Sequence, residues 1–134
     1  MLTYNMIVLY VDDDPDDRQL FQEAIKSIDS RIVCVTAQDG LEALSYLGMH
    51  DIPNIIFLDI NMPLMDGKTC LTEIRSNKLT AHIPVIMFTT SSSPEDRTDC
   101  ENLGATDFLL KPVSYIQMKE IITSVFYSAN IALN

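Results

Sequence analysis

Two spacings of apolar residues alternate along the chain. Short dense runs occupy residues 6–11, 32–36, 54–58, 83–88 and 107–110, and three of the five are nearly unbroken. Runs of this length suit parallel strands covered on both faces, where no polar alternation is needed. Between them apolar residues recur every three or four positions, the signature of helices with one buried stripe. Pro15–Ile28 places Leu20, Phe21, Ala24, Ile25 and Ile28 on one face. Residues 40–47 do so with Leu41, Leu44 and Leu47, and residues 68–76 with Leu71 and Ile74. Residues 115–129 contribute Met118, Ile121, Ile122, Val125 and Phe126. The fourth helix, over 94–103, offers only Cys100 and Leu103 for burial. A helix so weakly anchored is a candidate for movement or for a partner surface.

The alternation predicts an α/β protein, (βα)5, with short connections. Right-handed crossovers then give a doubly wound five-stranded parallel sheet. A length of 134 residues suits a single domain, here expected to occupy 1–134 with a core of about 5–129. In such sheets ligands bind beyond the carboxyl ends of the strands.

Charge and composition narrow the partners. The formal net charge is −10 and the sequence is acidic, which argues against nucleic acid, because phosphate backbones attract basic surfaces. No stretch approaches the roughly 18 apolar residues of a membrane span, and no signal-peptide pattern precedes the first run. Cys34, Cys70 and Cys100 are odd in number, far apart and outside any C-x-x-C arrangement, so reduced side chains in a cytoplasmic protein are expected. His50 and His82 lack ligand spacing.

The first strand runs into "VDDDPDD", five aspartates in six positions from Asp12 to Asp17. Helix chemistry accounts for three. Pro15 suits the first helical position, which makes Asp14 the N-cap, and Asp16 and Asp17 then fall in the first turn, where the helix dipole favours negative charge. Asp12 and Asp13 remain, and capping does not require them. Other strands end with comparable residues: Asp59 after "IIFL", Thr89 after "IMF" and Lys111 after "FLL". In a parallel sheet these ends share one edge. Taken singly, an Asp caps, a Thr pairs and a Lys is solvated; together they assemble three carboxylates, a hydroxyl and an amine.

Two unit charges about 4 Å apart interact by about 4 kcal/mol at an effective dielectric of about 20. Three clustered carboxylates therefore call for a cation, and Lys111 supplies one charge. Mg2+ fits such an oxygen site best, because it accepts one or two carboxylates, keeps waters and takes phosphate oxygens; Mn2+ is the natural substitute. A site of this kind is suited to phosphoryl transfer, which rests on positioning and charge neutralisation.

With these residues in order, the chain resembles the receiver domains of two-component response regulators, most closely the stand-alone CheY-like members. The motifs are the acidic pair Asp12–Asp13, "DINMPLMDG" at 59–67, Thr89 on the fourth strand, and Lys111 followed by Pro112. The resemblance implies a flavodoxin-like, CheY-like fold with strand order 2-1-3-4-5. It implies that Asp59 accepts phosphate from a histidine kinase or a phosphotransfer protein, with Asp12, Asp13, Asp59 and the Asn61 carbonyl serving the metal, Asp12 through water. Thr89 and Lys111 would bond the phosphoryl oxygens, and the Lys111–Pro112 peptide would be cis. Thr89 and Phe108 would form the switch, with Phe108 where Tyr is the commoner residue and Thr90 where a small one is usual. Asn61 and Ser91 hold positions that tune hydrolysis in this family.

Such a protein would not be a turnover enzyme. Its output would pass through the fourth helix, fifth strand and fifth helix to a downstream protein, or to a second copy in a homodimer. No output domain would be expected after the last helix. Three other readings stay open at this point. An EF-hand loop would use Asp12, Asp14, Asp16 and Glu23, although Asp17 stands where that loop needs Gly. A phosphohydrolase would want an acid where Asn61 stands. An interaction scaffold would bind its partners whether or not Asp59 is phosphorylated.

Overall fold

In the computed structural model, which describes residues 6–131, the dense runs are the strands and the periodic segments the helices. The order is β1 (Ile7–Val11), α1 (Pro15–Ile28), β2 (Val33–Ala37), α2 (Gly40–Met49), β3 (Ile55–Leu58) and α3 (Gly67–Ser76). It continues with β4 (Val85–Thr89), α4 (Pro94–Asn102), β5 (Asp107–Leu110) and α5 (Tyr115–Ser128). All strand pairs are parallel and the sheet order is β2-β1-β3-β4-β5, as expected for the doubly wound fold. β3 and β4, inside the sheet, are buried at every position, which is why their sequences show no alternation.

The two faces bury different side chains. Beneath α1 and α5 lies an aromatic layer of Tyr10, Phe21, Phe57, Phe88 and Phe126, with Tyr10 stacked on Phe21 at 4.0 Å between centroids. Beneath α2, α3 and α4 the layer is mainly aliphatic, built on Leu9, Val11, Leu58 and Met87, with Phe108 at its β5 side. α4 buries only Cys100 of its own residues, so the expectation of a weakly anchored helix stands.

Several expected boundaries move by a residue or two. β2 starts at Val33 because the Ile32 amide bonds the Asp29 carbonyl in a turn. β4 starts at Val85, after Pro84, which has no N–H to give to a ladder, and reaches Thr89. Leu41 is exposed rather than inward; Gly40, Ala43 and Leu47 form the buried stripe of α2. The expected core begins one residue outside the described part of the chain, and the tail to Asn134 also ends outside it. The three cysteines are free, and burial pushes the Cys34 and Cys70 thiols up to about 12. No helix among the described residues is long and apolar enough to cross a membrane.

Candidate functional site

Asp12, Asp59 and Lys111 each stand one residue beyond a strand, still held by ladder-like bonds. The Asp12 amide donates to the Ala37 carbonyl at 3.0 Å, the Asp59 amide to Val11 at 3.0 Å, and the Lys111 amide to Thr89 at 2.8 Å. These bonds carry the strand register into the loops, so strand alternation decides where the side chains go. Tyr10, Phe57 and the partly buried Leu109 pack into the aromatic layer, and two residues later Asp12, Asp59 and Lys111 follow on that same face.

The result is one ammonium among carboxylates from across the sequence. Lys111 Nζ lies 2.5 Å from Asp12 Oδ2, 2.9 Å from Asp59 Oδ2 and 3.0 Å from Asp17 Oδ2. Burial alone would pull this lysine down, but the bonds to Asp12 and Asp59 outweigh it and raise the group above its ordinary range. Lys111 is therefore a fixed cation. Asp12 is the most enclosed acid: Oδ2 also accepts from the Tyr10 hydroxyl at 2.7 Å, and Oδ1 accepts from the Asp14 amide at 3.0 Å. Burial and then the Asp12 charge push the Tyr10 phenol up, which keeps it a neutral donor. Asp59 Oδ1 accepts from the Ile60 amide at 2.7 Å.

Asp13 completes the expected acidic set from the exposed rim. Carboxylate oxygens of Asp12, Asp13 and Asp59 all lie within 4.8 Å of one another, a donor set of hard oxygens that suits a divalent cation. Asn61, two residues beyond Asp59, is exposed in the loop that follows. That loop is pinned at Gly67: a side chain there would bring Cβ to 2.0 Å from the Asp59 carbonyl oxygen, so only glycine lets α3 start against the end of β3.

Thr89 ends β4 fully buried, and its Oγ1 accepts from the Ser91 amide at 3.2 Å. By alternation it faces the aliphatic layer with Met87 and Phe108, opposite to Lys111. Phe108 is turned inward, and the Arg97 guanidinium of α4 lies 5.6 Å from its ring centroid. Thr90 is exposed. The Lys111–Pro112 peptide is trans, contrary to expectation, as no cis bond occurs among the described residues; trans is the intrinsically favoured form of an X–Pro bond. Asp14 Oδ1 accepts from the amides of Asp16 and Asp17, so it is engaged as the N-cap and the EF-hand reading is excluded.

Sequence reasoning missed three participants. Tyr10 looked like one more apolar strand residue, although its position two before Asp12 puts both on one face. Asp17 has a sufficient local role at the positive end of the helix dipole, yet it also bonds Lys111. Lys68, at the start of α3, bonds Asp96 at 2.7 Å and Asp99 at 2.9 Å on α4, and Asp96 also accepts from Ser91 Oγ at 2.5 Å. That second network ties α3 to the segment following Thr89.

Comparison with known proteins bears on the family and the fold. A family profile described as the response regulator receiver domain matches residues 8–123. The chain is 36% identical over 119 residues to the sensor histidine kinase RcsC of Escherichia coli, a match covering 89% of the chain but 12% of that kinase. It likewise spans less than half the length of other curated relatives, such as a probable transcriptional regulator, ycf27, of Guillardia theta. Among solved structures, the phosphorylated cyanobacterial phytochrome response regulator RcpA superposes with a TM-score of 0.87 at 28% identity, covering 97% of this chain and 99% of that one. The Mn2+-bound form of response regulator Rcp1 superposes with a TM-score of 0.81 at 29% identity, over 96% and 99%.

Proposed function

The chain belongs to the response regulator receiver domain family, and from that premise we propose that Asp59 is its phosphoryl acceptor and Mg2+ its cofactor. The donor is the phosphohistidine of a histidine kinase or phosphotransfer protein. The observation that carries the reading is the convergence of Asp12, Asp59 and Lys111 on one point beside Asp13. Asp12, Asp13 and Asp59 would hold the ion, with the Asn61 carbonyl beside them. When bound, the ion supplies fixed positive charge next to the transferring group.

The protein's own residues do the rest. A carboxylate oxygen of Asp59 forms the new P–O bond while the donor's P–N bond breaks. The imidazole nitrogen keeps that electron pair and is reprotonated by solvent. Lys111 is already charged and needs no proton before it meets the phosphoryl oxygens. The Thr89 hydroxyl gives a further hydrogen bond. No substrate is turned over beyond this transfer and the later loss of phosphate.

Phosphorylation adds about −1.5 to −2 charge and three acceptor oxygens. To convert a 1:99 population to 99:1, these must favour one conformation by about 5.5 kcal/mol. Thr89, Phe108 and the sparsely buried α4 form the element that responds. The output face is α4, β5 and α5, where Leu110, Ile116 and Tyr127, with Val113 in the loop between β5 and α5, stand exposed for a downstream protein or a second copy of the chain. The acidic surface and free cysteines suit a cytoplasmic protein partner rather than nucleic acid.

The test is intact mass after treatment with acetyl phosphate and Mg2+, wild type against Asp59→Asn. A phosphoryl adduct on the wild type alone is expected. Equal labelling of both would place the acceptor elsewhere.

A further inference from the structure

Lys111 is bonded to one carboxylate more than the proposed chemistry uses. An ammonium has three N–H donors and no acceptor. Here Asp12, Asp59 and Asp17 take one each; phosphorylation of Asp59 passes its N–H to the phosphoryl group and leaves the other two on Asp12 and Asp17. A second bond from Lys111 to the phosphoryl oxygens must therefore be drawn from Asp12 or from Asp17. Asp12 is the poorer one to abandon: its side chain is 1% exposed, so water cannot take the place of the ammonium there. Asp17 is 33% exposed, so water can replace the lysine there at small cost.

We propose that Asp17 is a competing partner for Lys111, which disfavours the phosphoryl group at Asp59 and favours the free divalent cation. The inference rests on the function proposed above and deepens it. Two effects act in the same direction. The Asp17 carboxylate occupies the N–H that a second bond to the phosphoryl oxygens would use, and its charge repels theirs across the ammonium. Toward a cation alone the sign reverses, because the same charge attracts it.

Asp17 lies in the first turn of α1, and so does Asp16. A role confined to the helix dipole would belong to both equally. Asp16, however, is exposed and stands outside the ring of carboxylates on Lys111. It is the internal control.

The experiment titrates wild type, Asp17→Asn and Asp16→Asn first with Mg2+ alone, followed by amide chemical shifts. Beryllofluoride is then added at saturating Mg2+ as the phosphoryl analogue, followed by 19F resonance. Relative to wild type, Asp17→Asn is expected to bind beryllofluoride about two- to fivefold more tightly and Mg2+ weaker by a similar factor, the size of a partly exposed ion pair. Asp16→Asn should move neither affinity by as much. If wild type binds beryllofluoride but Asp17→Asn and Asp16→Asn behave alike, this inference is overturned and the proposed function stands. If wild type takes no beryllofluoride, both fall together.

Discussion

Lys111 and Lys68 make nearly the same bonds in opposite surroundings. Each ammonium contacts aspartates at 2.5–3.0 Å, and each is raised above its ordinary range. The Lys111 side chain is 8% exposed and that of Lys68 is 27% exposed. Around Lys68, water can take over for any partner that leaves, so the network acts as a tie between α3 and α4. Around Lys111, water is largely excluded from Asp12 and Asp59, and with Asp13 close by one positive charge does not balance the acids. That imbalance is what a cation and a phosphoryl group can exploit. Burial, not bonding pattern, separates a structural tie from a reactive site.

The most severe way to break the contrast is Lys111→Met. It strips the counter-charge from buried carboxylates, for which about 3–5 kcal/mol is the usual loss. Urea denaturation in EDTA should show a loss of that order, partly recovered when Mg2+ is added. Equal stability of variant and wild type in EDTA would refute the buried-charge account. Tyr10→Phe is the next step down, since it removes one neutral donor from Asp12 and keeps the lysine. A buried hydrogen bond to a charged group is worth about 1.5–3 kcal/mol, so the urea midpoint should fall by less than in Lys111→Met. A larger fall would mean that the phenol, rather than the ammonium, holds Asp12.

These two variants also mark where sequence reasoning stops. The sheet was legible because dense apolar runs and three-to-four spacing report burial directly, and strand ends of a parallel sheet share an edge. Asp12, Asp13, Asp59 and Lys111 could thus be brought together from order alone. The second partners were not legible. Tyr10 and Asp17 have ordinary local roles, in a strand and in a first helical turn, and their bonds to the site depend on side-chain reach across the fold. Lys68, Asp96 and Asp99 meet only because α3 and α4 lie side by side. Phe108 and Thr89 could be named, but not the placement of Arg97 over the Phe108 ring. The Lys111–Pro112 bond came from resemblance and differs, because nothing local in those residues dictates the isomer.

The half-buried network around Lys68 gives the smallest effect and the cleanest pH signature. Bonds from Lys68 first and Ser91 second hold the Asp96 carboxyl below its ordinary value of 3.8. A carboxyl lowered in the folded state stabilises the protein above its unfolded-state value. That contribution is lost as pH falls through the lower, folded-state value. The stability difference between wild type and Lys68→Met isolates the coupling of Lys68 to Asp96 and Asp99, because carboxylates away from Lys68 keep the same surroundings in both. It should be constant from pH 7 to about pH 5 and shrink below about pH 4. It should also weaken with added salt, since these groups face water. Hydrogen exchange in α4 should rise in Lys68→Met while the amides of Asp12 and Asp59 keep their protection. A difference that persists unchanged to pH 3 would mean that Lys68 acts through packing of its aliphatic stem rather than through its charge.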